Sequence, residues 1–381
     1  MKGIETMTRE ELCKGKPEAM MSFQFDGNVK SAESYGSGHI NDTFLVLSDL
    51  EDGTEKRYIL QRMNRDIFKN PEELMENVLN VTSFLRKKIE ERGGNPERET
   101  LNVILTKDNK PFFVDSNGEY WRAYIFIEDS ISYDTVEKPE DFYESAVAFG
   151  NFQSLLSDYP AETLHETIEG FHDTKKRFDT FKKAVEDDIM GRASSVQDEI
   201  NFVLEREDVA CVLGDMLAKG ELPLRVTHND TKLNNIMMDK ETGKGICVID
   251  LDTVMPGLSI HDFGDSIRFG ASTGAEDEKD LDKISCDMEL FKLYSEGFIK
   301  GCKGSLTENE LEMMPMGAKV MTFECGMRFL TDYLQGDTYF KVHREGHNLD
   351  RCRTQFKLVK DMEEKWETMH NIIKEIATVQ S

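Results

Sequence analysis

The sequence predicts an α+β protein with a small N-terminal sheet lobe carrying one main helix and a larger, mostly helical C-terminal lobe. Strand signals crowd the first third, helical spacing dominates the rest, and 381 residues suffice for two cores. After a charged leader, Val29 to Tyr35 and Thr43 to Leu47 read as strands flanking a glycine-containing segment. Asp49-Leu50-Glu51-Asp52-Gly53 turns the chain into a third strand, Arg57 to Met63. Pro71 opens a helix in which Leu74, Val78, Val81, Phe84 and Leu85 recur at three- and four-residue spacing. Leu101 to Leu105 and Phe112 to Val114 are further strands, and Asn117-Gly118 is a hairpin turn into Trp121 to Ile127. From Asp129 the spacing turns helical over Pro139 to Leu156, Thr174 to Met190, Val196 to Leu217 and much of the last hundred residues. The lobes are therefore expected to span residues 1–128 and 129–381.

Composition narrows the partners. The 47 basic against 73 acidic residues give a formal charge of −26, which argues against nucleic acid or an anionic membrane as the main partner. Seven widely spread cysteines with no C-x-x-C pair point to a reducing compartment rather than to zinc or redox work. Lys2, Glu5, Arg9, Glu10 and Glu11 leave no apolar signal-peptide core, and no run approaches the roughly 18 apolar residues of a membrane helix. The expectation is a soluble, cytoplasmic protein.

The chemistry concentrates in His228-Asn229-Asp230-Thr231-Lys232-Leu233-Asn234-Asn235 and, past a strand and a reversal, in Val248-Ile249-Asp250-Leu251-Asp252. An Asp and an Asn five apart, followed by an Asp ending an apolar run, combine a base with metal-binding oxygens. Phosphoryl transfer from ATP needs that combination: one carboxylate orients and deprotonates a hydroxyl, while an amide oxygen and a second carboxylate hold Mg²⁺ against the phosphates. Asp230 is the expected base, Asn235 and Asp250 the expected metal ligands, and Lys232 a cation for the γ-phosphate. Asp252 either binds a second metal or faces the acceptor. His228 is expected to support the loop by hydrogen bonding. Asp262-Phe263-Gly264 mimics a metal motif but lacks the strand that precedes Asp250, so Asp250 is read as the metal residue and Asp262 as structural.

This pattern resembles the H-x-D-x-x-x-x-N loop and downstream metal-binding Asp of the protein-kinase-like small-molecule kinases, which include aminoglycoside phosphotransferases, choline kinases and homoserine kinases. Tyr35 to Thr43, Leu60-Gln61-Arg62-Met63-Asn64, the His228–Asn235 octet, Asp250 to Gly257 and Arg328 to Leu334 further resemble the N-acetylhexosamine 1-kinases. The resemblance runs from about residue 30 to about residue 360 and implies a bilobal kinase fold using ATP and Mg²⁺ on a sugar hydroxyl. It makes Gly36, Ser37 and Gly38 phosphate-approaching residues, although Asn41 replaces the third glycine of the kinase loop. Arg62 stands where the family commonly has Lys, with Glu76 its expected partner and Glu73 close behind. Phe126, Ile127 and Glu128, at the lobe boundary, are expected beside the nucleotide. His39, Asn41, Asp42, Arg328, Asp332 and Tyr333 are candidates for the acceptor, Arg328 and Asp332 sharing a helix face. Other acceptors, such as an aminoglycoside, choline, homoserine or a plain hexose, remain open, as does binding without turnover.

Overall fold

A computed structural model describes residues 12–36, 40–136 and 138–380, so Ser37, Gly38 and His39 lie outside the described residues. The chain forms two compact units, and the fold is α+β as expected. One comprises residues 1–130 together with Leu164–Ile168 and Ile246–Val254; the other comprises Ile131–Thr163, Glu169–Gly245 and Met255–Ser381. The division is not the single cut near residue 128 that local patterning suggests, because two later segments join the first unit.

The first unit is built on an antiparallel sheet of β1 (Asn28–Ser34), β2 (Asp42–Asp49), β3 (Glu55–Arg62), β4 (Val103–Ile104), β5 (Phe113–Val114) and β6 (Tyr120–Ile125). Its order is β1-β2-β3-β6-β4, with β5 paired to β6. Alternation in β2 and β3 puts Phe44, Val46, Tyr58 and Leu60 on one face, where they pack with Trp121, Ala123, Ala19 and Phe23. The β5–β6 reversal falls at Asn117-Gly118, where Gly118 takes φ +83° and its N–H donates to Asp115 O at 3.0 Å. Pro71–Glu91 is the main helix, capped by Asn70, whose side chain accepts from Glu73 N. Leu74, Met75, Val78 and Val81 form its fully buried stripe, each worth about 1.5–3 kcal/mol relative to exposure. Asn77 on the same helix is buried and donates to His165 O at 2.8 Å and to Val254 O at 3.1 Å. This one amide therefore ties both late segments to the first unit.

The second unit is mostly helical. Pro139–Leu155, Thr174–Asp187, Met288–Cys302, Glu308–Gln335, His347–Glu364 and Trp366–Gln380 are its longer helices. The expected helix over Val196 to Leu217 is two, Gln197–Leu204 and Glu207–Ala218. Pro139–Leu155 and Met288–Cys302 approach at Gly150 and Gly301, where a Cβ on Gly150 would collide with Phe298 O. Thr307 and Glu310 form a capping box at the start of Glu308–Gln335. The Glu310 carboxylate also accepts from Arg225 Nε at 3.0 Å and from Ser259 Oγ at 2.6 Å. A helix cap thus anchors both the strand Arg225–Thr227, which leads into the octet, and the helix Ser259–Gly270.

Candidate active site

In the second unit, Arg225–Thr227 pairs antiparallel with Met255–Gly257, and the octet begins where this strand ends. Asn229 takes φ +65°, a left-handed conformation that Asn tolerates better than most residues. That turn aims two consecutive amides at one acid: Asp262 Oδ2 accepts from His228 N at 2.9 Å and Oδ1 from Asn229 N at 2.8 Å. Gln153 Nε2 donates to Oδ2 at 2.7 Å. Asp262 is 1 % exposed, and burial pushes its carboxyl above the ordinary range against the opposing pull of His228 and these N–H groups. Thr231 completes the brace, its hydroxyl donating to Asp262 O at 2.6 Å and its N–H to Asp265 Oδ2 at 3.2 Å. Asp262 and Asp265 both lie on Ser259–Gly270 and hold the loop from one helix.

The loop in turn fixes Asp230. Lys232 Nζ lies 2.6 Å from Asp230 Oδ1, and Asn235 Nδ2 donates to Asp230 O at 2.8 Å and to Oδ2 at 3.2 Å. Burial alone would lower the Lys232 ammonium's pKa, but Asp230 raises it, so the cation persists beside the carboxylate. His228 is fully buried, edge-on to Phe149, and its Nδ1 accepts from Asp230 N at 3.3 Å. Both bonds from Asn235 to Asp230 use its amide nitrogen, and its amide oxygen is of the donor type that suits a hard cation.

In the first unit, Asp250 follows the strand Gly245–Val248 and sits at φ +59°, exposed, before the short turn Leu251–Thr253. Asp252 is 3 % exposed. Its Oδ2 accepts from Asn41 Nδ2 at 2.7 Å, its Oδ1 from Arg122 Nη1, and its carbonyl from Thr167 Oγ1 at 3.0 Å. Asn41 Oδ1 also accepts from Asn64 N at 3.0 Å, fastening the end of the glycine segment to the chain after β3. Gly36 is left-handed at φ +77°.

Arg62 is committed elsewhere. Asp42, Arg62 and Trp121 form one row of the sheet, whereas Thr43, Gln61 and Arg122 form the next. Paired residues share a face and successive rows alternate, so Arg62 shares the face of Leu60 and Phe44. Its guanidinium pairs with Asp42 and, at 2.7 Å, with Glu119. The expected Arg62–Glu76 pair is absent: Glu76 lies on the exposed side of its helix and meets His165 Nε2 at 3.0 Å. Glu73 is held at the helix start. On the other face, Gln61 Nε2 donates to Thr43 Oγ1 at 3.0 Å, and Arg122 Nε donates to Gln61 Oε1 at 3.0 Å. The cation on the Asp252 side is Arg122, which the sequence reading passed over; its place two positions from Tyr124 and Tyr120 in a β-alternating run was the available signal. Phe126 N donates to Arg57 O at 3.2 Å, Ile127 O accepts from Ser130 Oγ at 2.6 Å, and the Glu128 carboxylate pairs with Arg57.

Back in the second unit, Arg328 lies among the rings of Phe171, Tyr339 and Phe340, their centroids 5.7, 5.7 and 5.4 Å from the guanidinium carbon. It forms no ion pair with Asp332. That carboxylate instead accepts from Thr338 N, Tyr339 N and Phe340 N at 2.9, 2.8 and 3.0 Å, shaping the turn that carries the rings. Tyr333 packs under Arg192, at 4.6 Å, so Tyr339 is the tyrosine beside Arg328. Tyr339 follows the left-handed Gly336, outside any helical spacing, which is why periodicity missed it. Glu324, one turn before Arg328, accepts from His172 Nδ1 at 2.9 Å and from Thr174 Oγ1 at 2.6 Å. Burial would raise its pKa, but His172, Arg177 and Arg328 draw it down to about 2. The His172 ring is 5.4 Å from that of His261, whose pKa is pushed down to about 3 by burial and by His172.

Solved structures share this architecture. An aminoglycoside phosphotransferase from Alicyclobacillus acidocaldarius subsp. acidocaldarius DSM 446 is 10% identical, with 92% of this chain and 95% of that chain covered at a TM-score of 0.57. An amicoumacin kinase in complex with AMP-PNP and Ca²⁺ is 11% identical, with 92% of each chain covered at a TM-score of 0.54. A choline kinase from Cryptosporidium parvum Iowa II is 15% identical, with 92% of this chain and 93% of that chain covered at a TM-score of 0.52. At such identities the likeness shows the protein-kinase-like fold. Residues 31–286, about two thirds of the sequence and including the octet and Asp250, match the phosphotransferase enzyme family. The chain belongs to that phosphotransferase enzyme family.

Proposed function

We propose that this small-molecule kinase uses ATP and Mg²⁺ to phosphorylate the anomeric hydroxyl of N-acetylglucosamine or N-acetylgalactosamine. The observation that carries the kinase reading is the octet: a carboxylate held by Lys232 and Asn235 on a loop braced by two buried acids. Asp230 accepts the hydrogen bond of the acceptor hydroxyl and takes its proton as the bond to phosphorus forms. Lys232 balances the charge of that carboxylate and of the incoming phosphoryl group. Mg²⁺, when bound, would neutralise the phosphates; the Asn235 amide oxygen in the second unit and the Asp250 carboxylate in the first are each of the donor type it takes. Gly36 to Gly38 and Phe126 to Glu128 are the proposed contacts of the nucleotide. Asp252, with both oxygens engaged, is a supporting residue rather than a second-metal ligand in this reading.

The sugar assignment draws on the surroundings of Arg328. Arg177 and Arg328 put two guanidinium groups beside the single buried Glu324, and the proximity of Arg328 and burial both lower the pKa of Arg177. Such a cluster suits a neutral, hydrogen-bonding acceptor better than a polycation. Arg328 and Tyr339 are proposed to read sugar hydroxyls or the N-acetyl group, and Asp332 to hold the turn that presents Tyr339. A cytoplasmic location fits substrates of this kind, and among the described residues no helix is long and apolar enough to cross a membrane.

The test is ADP release against a panel of N-acetylglucosamine, N-acetylgalactosamine, glucose, choline, homoserine and kanamycin. N-acetylhexosamines should lead in kcat/KM by orders of magnitude, because buried polar groups reject analogues that leave them unpaired. A cationic acceptor leading the panel contradicts the sugar assignment, and no ADP release with any acceptor contradicts turnover.

A further inference from the structure

We propose that Arg122, on β6, is the residue that binds the nucleotide's phosphates, in place of a cation on β3. A kinase needs a fixed positive charge on the sheet against the phosphates. The register of this sheet turns the last cation of β3, Arg62, to the Leu60 face, where Asp42 and Glu119 neutralise it. On the other face β3 carries Arg57, which is committed to Glu128 and to the Phe126 ring, and then Gln61, which is uncharged. Its direct partner on β6 is Arg122, so the cation stands one strand over in the same row.

Arg122 is built as a binding group rather than as a surface charge. It is 1 % exposed, and its pKa is raised, Asp252 and Asp250 outweighing the opposing effect of burial. Its Nε is held by Gln61 at 3.0 Å and its Nη1 by Asp252, with Met75 Sδ at 4.0 Å. Nη2 makes no hydrogen bond among the described residues and is not sealed from solvent. It is therefore the nitrogen of this guanidinium left to donate a charge-assisted bond to an anionic oxygen. The pairing with Asp252 does a second thing. Asn41 holds the other Asp252 oxygen, so the residue closing the glycine segment, the phosphate cation and the chain next to Asp250 form one hydrogen-bonded row. Helix Pro71–Glu91 contributes Met75 there and no acid, so the support that a helix glutamate would give to a β3 cation comes instead from Asp252.

The inference rests on the kinase reading, and wild-type protein separates the two. If wild type binds ADP no more tightly than adenosine, the kinase reading fails before any variant is made. Titration calorimetry with ADP and with adenosine, in Mg²⁺ buffer, then compares Arg122→Gln, Arg122→Lys and the exchange variant Gln61→Lys/Arg122→Gln. Losing a charge-assisted bond to phosphate should weaken ADP about 10²-fold in Arg122→Gln while adenosine changes by less than about threefold. Arg122→Lys, which keeps the charge and loses the fork, should fall between. The exchange variant should regain at least about tenfold of the ADP affinity, because residues 61 and 122 are direct partners. Circular dichroism establishes that each variant is folded. If Arg122→Gln does not fold, Arg122→Lys decides by the same ADP-to-adenosine ratio. An unchanged ratio, or equal losses for both ligands, marks Arg122 as a purely structural partner of Asp252 and overturns the assignment.

Discussion

Asp230 and Asp262 are both carboxylates within one hydrogen-bonded loop, yet their surroundings assign them opposite work. Asp230 is partly open and faces Lys232 and Asn235. Asp262 is sealed and answers two backbone amides and Gln153. Asp230→Asn should therefore keep ADP binding and lower kcat by roughly 10²–10⁴, the usual worth of a positioned general base. Near-normal turnover would remove Asp230 from the mechanism. Asp262→Ala strands three buried N–H donors and should cost about 3 kcal/mol of stability, read as a lowered urea midpoint. Asp250→Ala should cost at most about 1–2 kcal/mol of stability, the strain of a left-handed Ala at an exposed position, while abolishing Mg²⁺-dependent ADP affinity. An exchange of these two phenotypes would show Asp262 to be the metal residue.

Between elements, the His172–Glu324–His261 cluster joins the segment before Thr174–Asp187, the helix Glu308–Gln335 and the helix Ser259–Gly270. Glu324, Arg177, Arg328 and Asp265 are the charged groups that face it. The His261 pKa is depressed from 6.5 to about 3, so the unfolded chain takes up a proton first as pH falls. Stability should then decline below pH 6.5, by about 2 kcal/mol at pH 5, since each unit between the two values is worth 1.36 kcal/mol. Glu324, at about 2 against 4.5, adds a contribution that is complete above 4.5 and is lost as pH falls toward 2. Urea unfolding of wild type and His261→Asn at pH 7 and pH 5 checks the first effect. The wild-type midpoint should fall more than the variant's, and parallel losses would sink this account.

Element patterning also decided what the sequence revealed. The octet was legible because its chemistry is local: base, amide and turn lie within eight residues. The strands and main helix were legible from period-2 and 3.6-residue spacing, within a residue or two at most ends. The face of β3 was not, since a register difference of one residue exchanges Arg62 for Gln61, and only pairing with β2 and β6 settles it. The splitting of Val196–Leu217 at Glu205-Arg206 left no Gly or Pro to announce it.

For the whole molecule, the two segments that join the first unit, Leu164–Ile168 and Ile246–Val254, are held by contacts such as Asn77 to Val254, 177 positions apart, which no local signal carries. Asp250 and Asp252 thus belong to the sheet unit, whereas Asp230 and Asn235 belong to the helical one. The charge of −26 also shapes any acceptor comparison. A strongly acidic surface concentrates cations at low salt, so aminoglycoside or choline binding should be judged near 0.15 M ionic strength, where the Debye length is about 8 Å. An anomeric hydroxyl, made more acidic by the ring oxygen, suits a single aspartate base, and this makes the position of transfer the point at issue. Phosphorus NMR of the product formed from ATP and N-acetylglucosamine tests it most directly. The product should carry a phosphate coupled to the anomeric proton and should have lost its reducing end; a phosphate on C6 with the reducing end intact overturns the sugar 1-kinase assignment.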